Sequence, residues 1–274
     1  MATETAPKRS WGQALAIYFE RPMLSMLFLG FSAGLPFYLV FSTLTGWLRK
    51  EHIDRSTIGM LGWVGLMYTF KWAWAPIVDR VGVPVLDRLL GRRRGWIAVA
   101  QVGIAICLYN MSLGHPAQSV AYMAWFAVAT AFFAATQDIS VDAWRIESTP
   151  AGRMGEMASA YQIGYRIALL TASAGAFAIA DKVGWRVSYG VMALLAVAGL
   201  LTTLMVREPE RLVAESSFVR EQRVIDWMAV RAHWPGWLVR LGGWLFGAVV
   251  GPILDFFGRY GVALGLLIFA FICS

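Results

Sequence analysis

The sequence predicts an all-α protein, a polytopic bundle of membrane-spanning helices. Three observations carry that reading. Hydrophobic residues make up 58% of the chain and charged ones only 15%. The mean hydropathy is +0.57. Several apolar runs reach the roughly 20 residues a helix needs to cross a bilayer. So apolar a composition lies outside the ordinary soluble range.

Taken in order, residues 1–22 form a polar N-terminal segment with Lys8, Arg9 and Arg21. The apolar run that follows is too long for a signal-peptide core and lacks a small-residue cleavage pattern, so it is expected to remain as a helix. Spans are expected at roughly 23–48, 57–78, 96–113, 119–142, 155–180 and 186–206, together a six-helix unit over 23–206. Between them stand Lys50-Glu51-His52 with Asp54-Arg55, the stretch Asp79 to Arg94, His115-Pro116, Thr149 to Arg153, and Asp181-Lys182. Ala160, Gly164, Ala168, Ala172, Ala176 and Ala180 recur every fourth residue and predict a groove where another backbone packs closely. Gly30 and Gly34 give a shorter version in the first span, where Pro36 removes a backbone donor and predicts a kink or unwinding at 34–36.

After the sixth span comes a link, 207–260, in which Arg220, Arg223, Arg231 and Arg240 alternate with Trp227, Trp234, Trp237 and Trp244. Arg beside Trp suits an amphipathic segment at the cytoplasmic headgroup level. Leu241 to Phe257 is apolar, but Pro252, Asp255 and several glycines interrupt it, which favours an interfacial or re-entrant segment over a further span. A seventh apolar run, 261–274, is too short to cross and reads as the start of a truncated helix. With the N-terminus in the cytoplasm, most Lys and Arg fall on the inner side, including Arg80, Arg88, Arg92, Arg93, Arg94, Arg145 and Arg153.

Basic residues placed between apolar runs report topology, so the net charge of +7 is not read as nucleic-acid binding. Cys107 and Cys273 lie in apolar runs without CxxC spacing, and His52, His115 and His233 are scattered. Neither a disulfide framework, a metal site nor a cofactor is indicated.

Four charges fall inside the apolar runs: Lys71, Asp138, Asp142 and Arg166. Each costs about 2.5–3.5 kcal/mol near mid-bilayer on insertion scales, and such groups usually line a water-filled path or pair inside the bundle. Asp138 and Asp142 stand one helical turn apart, and mutual repulsion of two carboxylates at low dielectric is one way to build a proton carrier. The alternative is that Asp142 pairs with Arg145 while Asp138 neutralises a cation from another helix. For Lys71 the alternative is a lysine snorkelling toward the inner interface. Arg166, with Tyr161, Gln162 and Tyr165 nearby, suits a carboxylate or a sugar hydroxyl.

The loop Ala75-Pro76-Ile77-Val78-Asp79-Arg80-Val81-Gly82, followed by Gly91-Arg92-Arg93-Arg94-Gly95, resembles the loop signature of the major facilitator superfamily. Ala75 stands where that signature has glycine, and an insertion bearing Asp87 and Arg88 displaces the basic cluster. The resemblance places Asp79, Arg80, Arg92, Arg93 and Arg94 at a cytoplasmic gate. Further strings narrow the family: Gly30-Phe31-Ser32-Ala33-Gly34-Leu35-Pro36, Phe70-Lys71-Trp72-Ala73-Trp74-Ala75-Pro76, Gln137-Asp138 with Asp142-Ala143-Trp144, and Gly164-Tyr165-Arg166. Their order over roughly residues 20–210 is similar to the AmpG-type muropeptide permeases of the bacterial inner membrane.

That likeness implies proton-driven import of anhydro-muropeptides, with Lys71, Gln137, Asp138, Asp142, Tyr165 and Arg166 as substrate and proton residues. It also implies twelve helices in two halves, so this chain is expected to supply the N-terminal six-helix half and to lack the C-terminal one. Transport of acetyl-coenzyme A or another anionic amphiphile is the alternative cargo. An integral membrane enzyme acting on lipid-linked sugars is the alternative class.

Overall fold

The computed structural model describes residues 16–209, 215–231 and 234–246, with Gly258 and Gly261. The chain divides into two compact units, Met1–Glu210 and Arg211–Ser274. Among the described residues every regular element is helical.

Among the described residues of the first unit, five helices are long and apolar enough to cross a membrane: α1 (Arg21–Lys50), α3 (Arg92–Leu113), α4 (Val120–Ser148), α5 (Met154–Val183) and α6 (Trp185–Met205). The second expected span, α2 over 55–80, is not one continuous α-helix. Its α-helical turns Arg55–Met60, Gly65–Thr69 and Ala75–Arg80 alternate with 3₁₀ turns at Leu61–Val64 and Phe70–Ala73. Gly59, Gly62 and Gly65 lower the helix propensity of the first half, and Pro76 can only open a new helical turn. Elsewhere the ends follow local chemistry. Ser119 accepts a hydrogen bond from the Tyr122 backbone N–H and caps α4. Gly184, at φ 93°, makes the sharp turn from α5 to α6.

α1 is central and packs on α4, α5 and α6, while α3 lies against α4 and α6, and α2 leans on α4. Between them Leu35, Leu39, Leu44, Trp47, Leu48, Ile104, Leu108 and Tyr189 form the core. The α1–α5 seam is the closest contact of the fold. A Cβ on Gly164 would lie 1.8 Å from the Leu27 carbonyl oxygen, and one on Gly30 would lie 2.1 Å from that of Tyr161. Ala160, Ala168, Ala172, Ala176 and Ala180 are buried along the same stripe. The expected groove therefore exists, and α1 fills it.

The irregularity expected at 34–36 is displaced. The α-helix runs unbroken through Pro36, and a π-turn follows at Leu39–Thr43. A second π-turn, Thr171–Gly175, faces it on α5. Widened turns leave carbonyls poorly paired, and neighbouring hydroxyls answer them. Thr43 donates to the Ala172 carbonyl at 2.6 Å, and the buried Tyr189 donates to that of Leu39 at 2.8 Å.

The second unit contains α7 (Glu215–Val230) and α8 (Gly236–Leu245), which pack on each other. Gly242 gives Trp227 room, and the Trp227 ring stacks on Phe246 at 5.6 Å. Residues 247–257, most of the expected interfacial or re-entrant segment, lie outside the described residues, as does the expected seventh helix apart from Gly261.

Because the α1–α5 backbones touch, Gly164→Ala is expected to destabilise the protein by about 1–3 kcal/mol through overpacking. Gly59→Ala, with nothing within 4 Å of the added carbon, is expected to leave stability unchanged or slightly raised. Thermal unfolding of both variants in detergent checks the pair.

Candidate functional site

The break in α2 places the first candidate. Trp74 donates its indole N–H to Thr136 Oγ1 of α4 at 3.1 Å, and its ring lies 5.1 Å from Phe132. That clamp fixes the 3₁₀ turn Phe70–Ala73 beside α4, so Lys71 faces Asp138, with Nζ 3.9 Å from Oδ2. The pair is loose and half-open: the Lys71 side chain is 40% exposed and that of Asp138 20%.

Aromatic residues surround it. Tyr68, Tyr161 and Tyr165 all lie close enough to feel the Asp138 charge. Tyr68 packs edge-on against Phe37 at 5.4 Å, and its buried hydroxyl has no hydrogen-bond partner among the described residues. Tyr161 and Tyr165, one turn apart on α5, have ring centroids 6.2 Å apart.

Asp138 and Asp142 take separate cations. Asp142 pairs with Arg145 at 3.1 Å, and the Arg145 guanidinium also lies 5.5 Å from the Tyr161 ring centroid. Of the two arrangements open to Asp142 and Asp138, the geometry adopts the one in which each has its own partner. Arg166 follows Tyr165 on α5, is exposed, and forms no salt bridge among the described residues. Gln137 turns the other way. It is fully buried and, with Gln101, donates an amide N–H to Ser32 Oγ at 3.3 Å, while Thr203 donates to Gln101 Oε1 at 2.9 Å. This chain ties α1, α3, α4 and α6 together, and Gln137 is spent on packing.

A second cluster closes the end of the bundle where α2, α4 and α6 finish. Arg93, 8% exposed at its side chain, binds Asp79 Oδ1 and Glu147 Oε1, both at 2.6 Å. Arg92 reaches Glu147 at 4.0 Å. Arg94 donates to the last carbonyls of α6, Thr203 and Leu204, at 2.9 Å each. Glu208 accepts the backbone N–H groups of Arg93 and Arg94 at 2.8 and 3.0 Å, answering two orphan donors at the start of α3. Arg80 is exposed at the edge of this cluster. The structure thus gathers Asp79, Arg92, Arg93 and Arg94, and adds Glu147 and Glu208. The Glu147 signal in the sequence is an acid at a helix end opposite a basic loop. Glu208 offered no comparable sign.

A separate cavity of about 680 Å³, lined by Phe41, Arg49, Gly59, Gly62 and Phe177 among others, lies between α1 and α2 and contains none of the candidate charges.

Known proteins match this arrangement over most of its length. Residues 26–274 fit the sequence profile of the Major Facilitator Superfamily. The chain is 34% identical to the anhydromuropeptide permease of Escherichia coli K12 over 257 residues, which is 93% of this chain and 46% of that protein. An uncharacterized protein of Haemophilus influenzae is 31% identical over 256 residues, 93% of this chain and 54% of that one. A protein of Rickettsia felis named as transporter AmpG 4 is 29% identical over 245 residues, 89% of this chain and 54% of that one. The chain spans about half the length of the curated relatives it matches.

The two charged clusters should respond differently to truncation. Arg93→Ala removes the 2.6 Å contacts of Asp79 and Glu147, leaves Glu147 only the 4.0 Å contact to Arg92 among the described residues, and is expected to cost about 2–3 kcal/mol. Lys71→Ala, at a half-open and loosely paired position, is expected to cost about 1 kcal/mol or less. Thermal unfolding of the two variants side by side measures the difference.

Proposed function

The chain belongs to the major facilitator superfamily, and from that premise we propose that it supplies the N-terminal six-helix half of a proton-driven permease importing anhydro-muropeptides. The family consists of transporters, which favours this class over a membrane enzyme. In this reading the protein sits in the bacterial inner membrane with its N-terminus in the cytoplasm, and a second six-helix half completes the cleft. Residues 207–260 then form the interfacial link between the halves.

The observation that carries the proposal is the loose Lys71–Asp138 pair on an open, tyrosine-lined face. Its chemistry is partner exchange. A proton arriving on Asp138 cancels the carboxylate charge and frees the Lys71 ammonium. Lys71 then takes a carboxylate of the cargo, and Arg166 and Tyr165 offer a second cation and a hydroxyl on the neighbouring helix. The rings of Tyr161 and Tyr165 present an apolar face to a sugar. Asp142 stays with Arg145 and tunes the local field. Asp79, Arg80, Arg92, Arg93 and Arg94 form the cytoplasmic gate in this scheme, with Arg93 as its buried hub. Gln137 acts through packing.

The test is uptake in right-side-out vesicles carrying this half within a twelve-helix protein. Asp138→Asn is expected to abolish uptake driven by a proton gradient, and Lys71→Ala to lower it at least tenfold. Wild-type rates in Asp138→Asn would remove that residue from the mechanism. Acetyl-coenzyme A should compete poorly against labelled anhydro-muropeptide; strong displacement by it would reassign the cargo.

A further inference from the structure

The second unit holds a cationic site that transport chemistry leaves unused. Arg231 follows the last turn of α7, and its guanidinium lies 4.2 Å from the Trp227 ring centroid and 5.9 Å from that of Trp234. Its Nη1 donates to the Trp227 carbonyl at 3.2 Å. The two indoles stand nearly perpendicular, at 86° and 6.5 Å, and Trp227 is itself held by the stack on Phe246. The cation is therefore oriented before any ligand arrives. A guanidinium has five N–H donors, and the hydrogen bond to Trp227 uses one of them. Among the described residues no carboxylate forms a salt bridge with Arg231. Beside it Val230 is 73% exposed and Trp234 43%.

A planar cation with donors to spare matches a phosphate, and exposed apolar and indole surface beside it matches the boundary between headgroup and acyl chain. The sequence is also basic on balance, with Arg220, Arg223, Arg231 and Arg240 against Glu215, Glu221 and Asp226 over residues 215–246. We propose that Arg231, clamped between Trp227 and Trp234, binds the phosphodiester of an anionic phospholipid, with Val230 entering the acyl boundary.

The test is native mass spectrometry of the full chain released from nanodiscs of equal phosphatidylglycerol and phosphatidylcholine. The wild type is expected to retain phosphatidylglycerol in excess, and Arg231→Ala to cut that excess about fivefold, the worth of one basic side chain at an anionic surface. Arg231→Gln is expected to do the same and serves where the alanine variant folds poorly. Millimolar glycerol phosphate should not displace the lipid. Equal retention of the two lipids by the wild type, unchanged selectivity in both variants, or displacement by glycerol phosphate would each overturn the proposal.

Discussion

An ionised group at hydrophobic depth must be neutralised by a partner or bathed by water, and this constraint organises the first unit. Burying a charge costs about 2.5–3.5 kcal/mol on insertion scales. Opposite charges about 4 Å apart recover roughly 4 kcal/mol at an effective dielectric of 20. Since a pair carries two such charges, the attraction recovers only part of the cost, and geometry and access to water decide the rest. Arg93 has two contacts at 2.6 Å and almost no exposure, so it is locked. Lys71 has one contact at 3.9 Å and an open side, so it can change partners at little cost.

The scaffold around the pair is stiff where backbones meet and irregular where they do not. Gly30 and Gly164 let α1 and α5 touch, and the Ser32, Gln101, Gln137 and Thr203 chain binds four helices through buried hydrogen bonds. Against that frame, α2 tightens into a 3₁₀ turn twice within 55–80, and the second of these turns carries Lys71. The facing π-turns of α1 and α5 add a further irregular layer, with one carbonyl of each, Leu39 and Ala172, met by a hydroxyl. Irregular turns inside otherwise regular helices often mark positions that move or bind.

Most of the helix layout was legible because apolar length and punctuation act locally. Five spans appear within a few residues of the expected bounds, and the four-residue stripe of α5 lies where close packing requires it. Local signals failed where tertiary contacts decide. The proline at position 36 pointed to a kink, yet packing carries the helix past it and moves the irregularity to Leu39–Thr43. Gln137 and Asp138 are neighbours in sequence but point in different directions, because successive helical residues differ by about 100° and only the packed neighbours tell which direction is the core. Glu208 became a cap for α3 only through a contact across more than a hundred residues.

The central claim is that Asp138 looks into water at hydrophobic depth. It is tested most directly by placing a single cysteine at 138 in a chain with Cys107 and Cys273 replaced by serine, and at Ile106 on the outer surface of α3 for comparison. In membranes, a charged, impermeant thiol reagent should modify the cysteine at 138 and spare the one at 106. Protection at 138 equal to that at 106 would contradict the account.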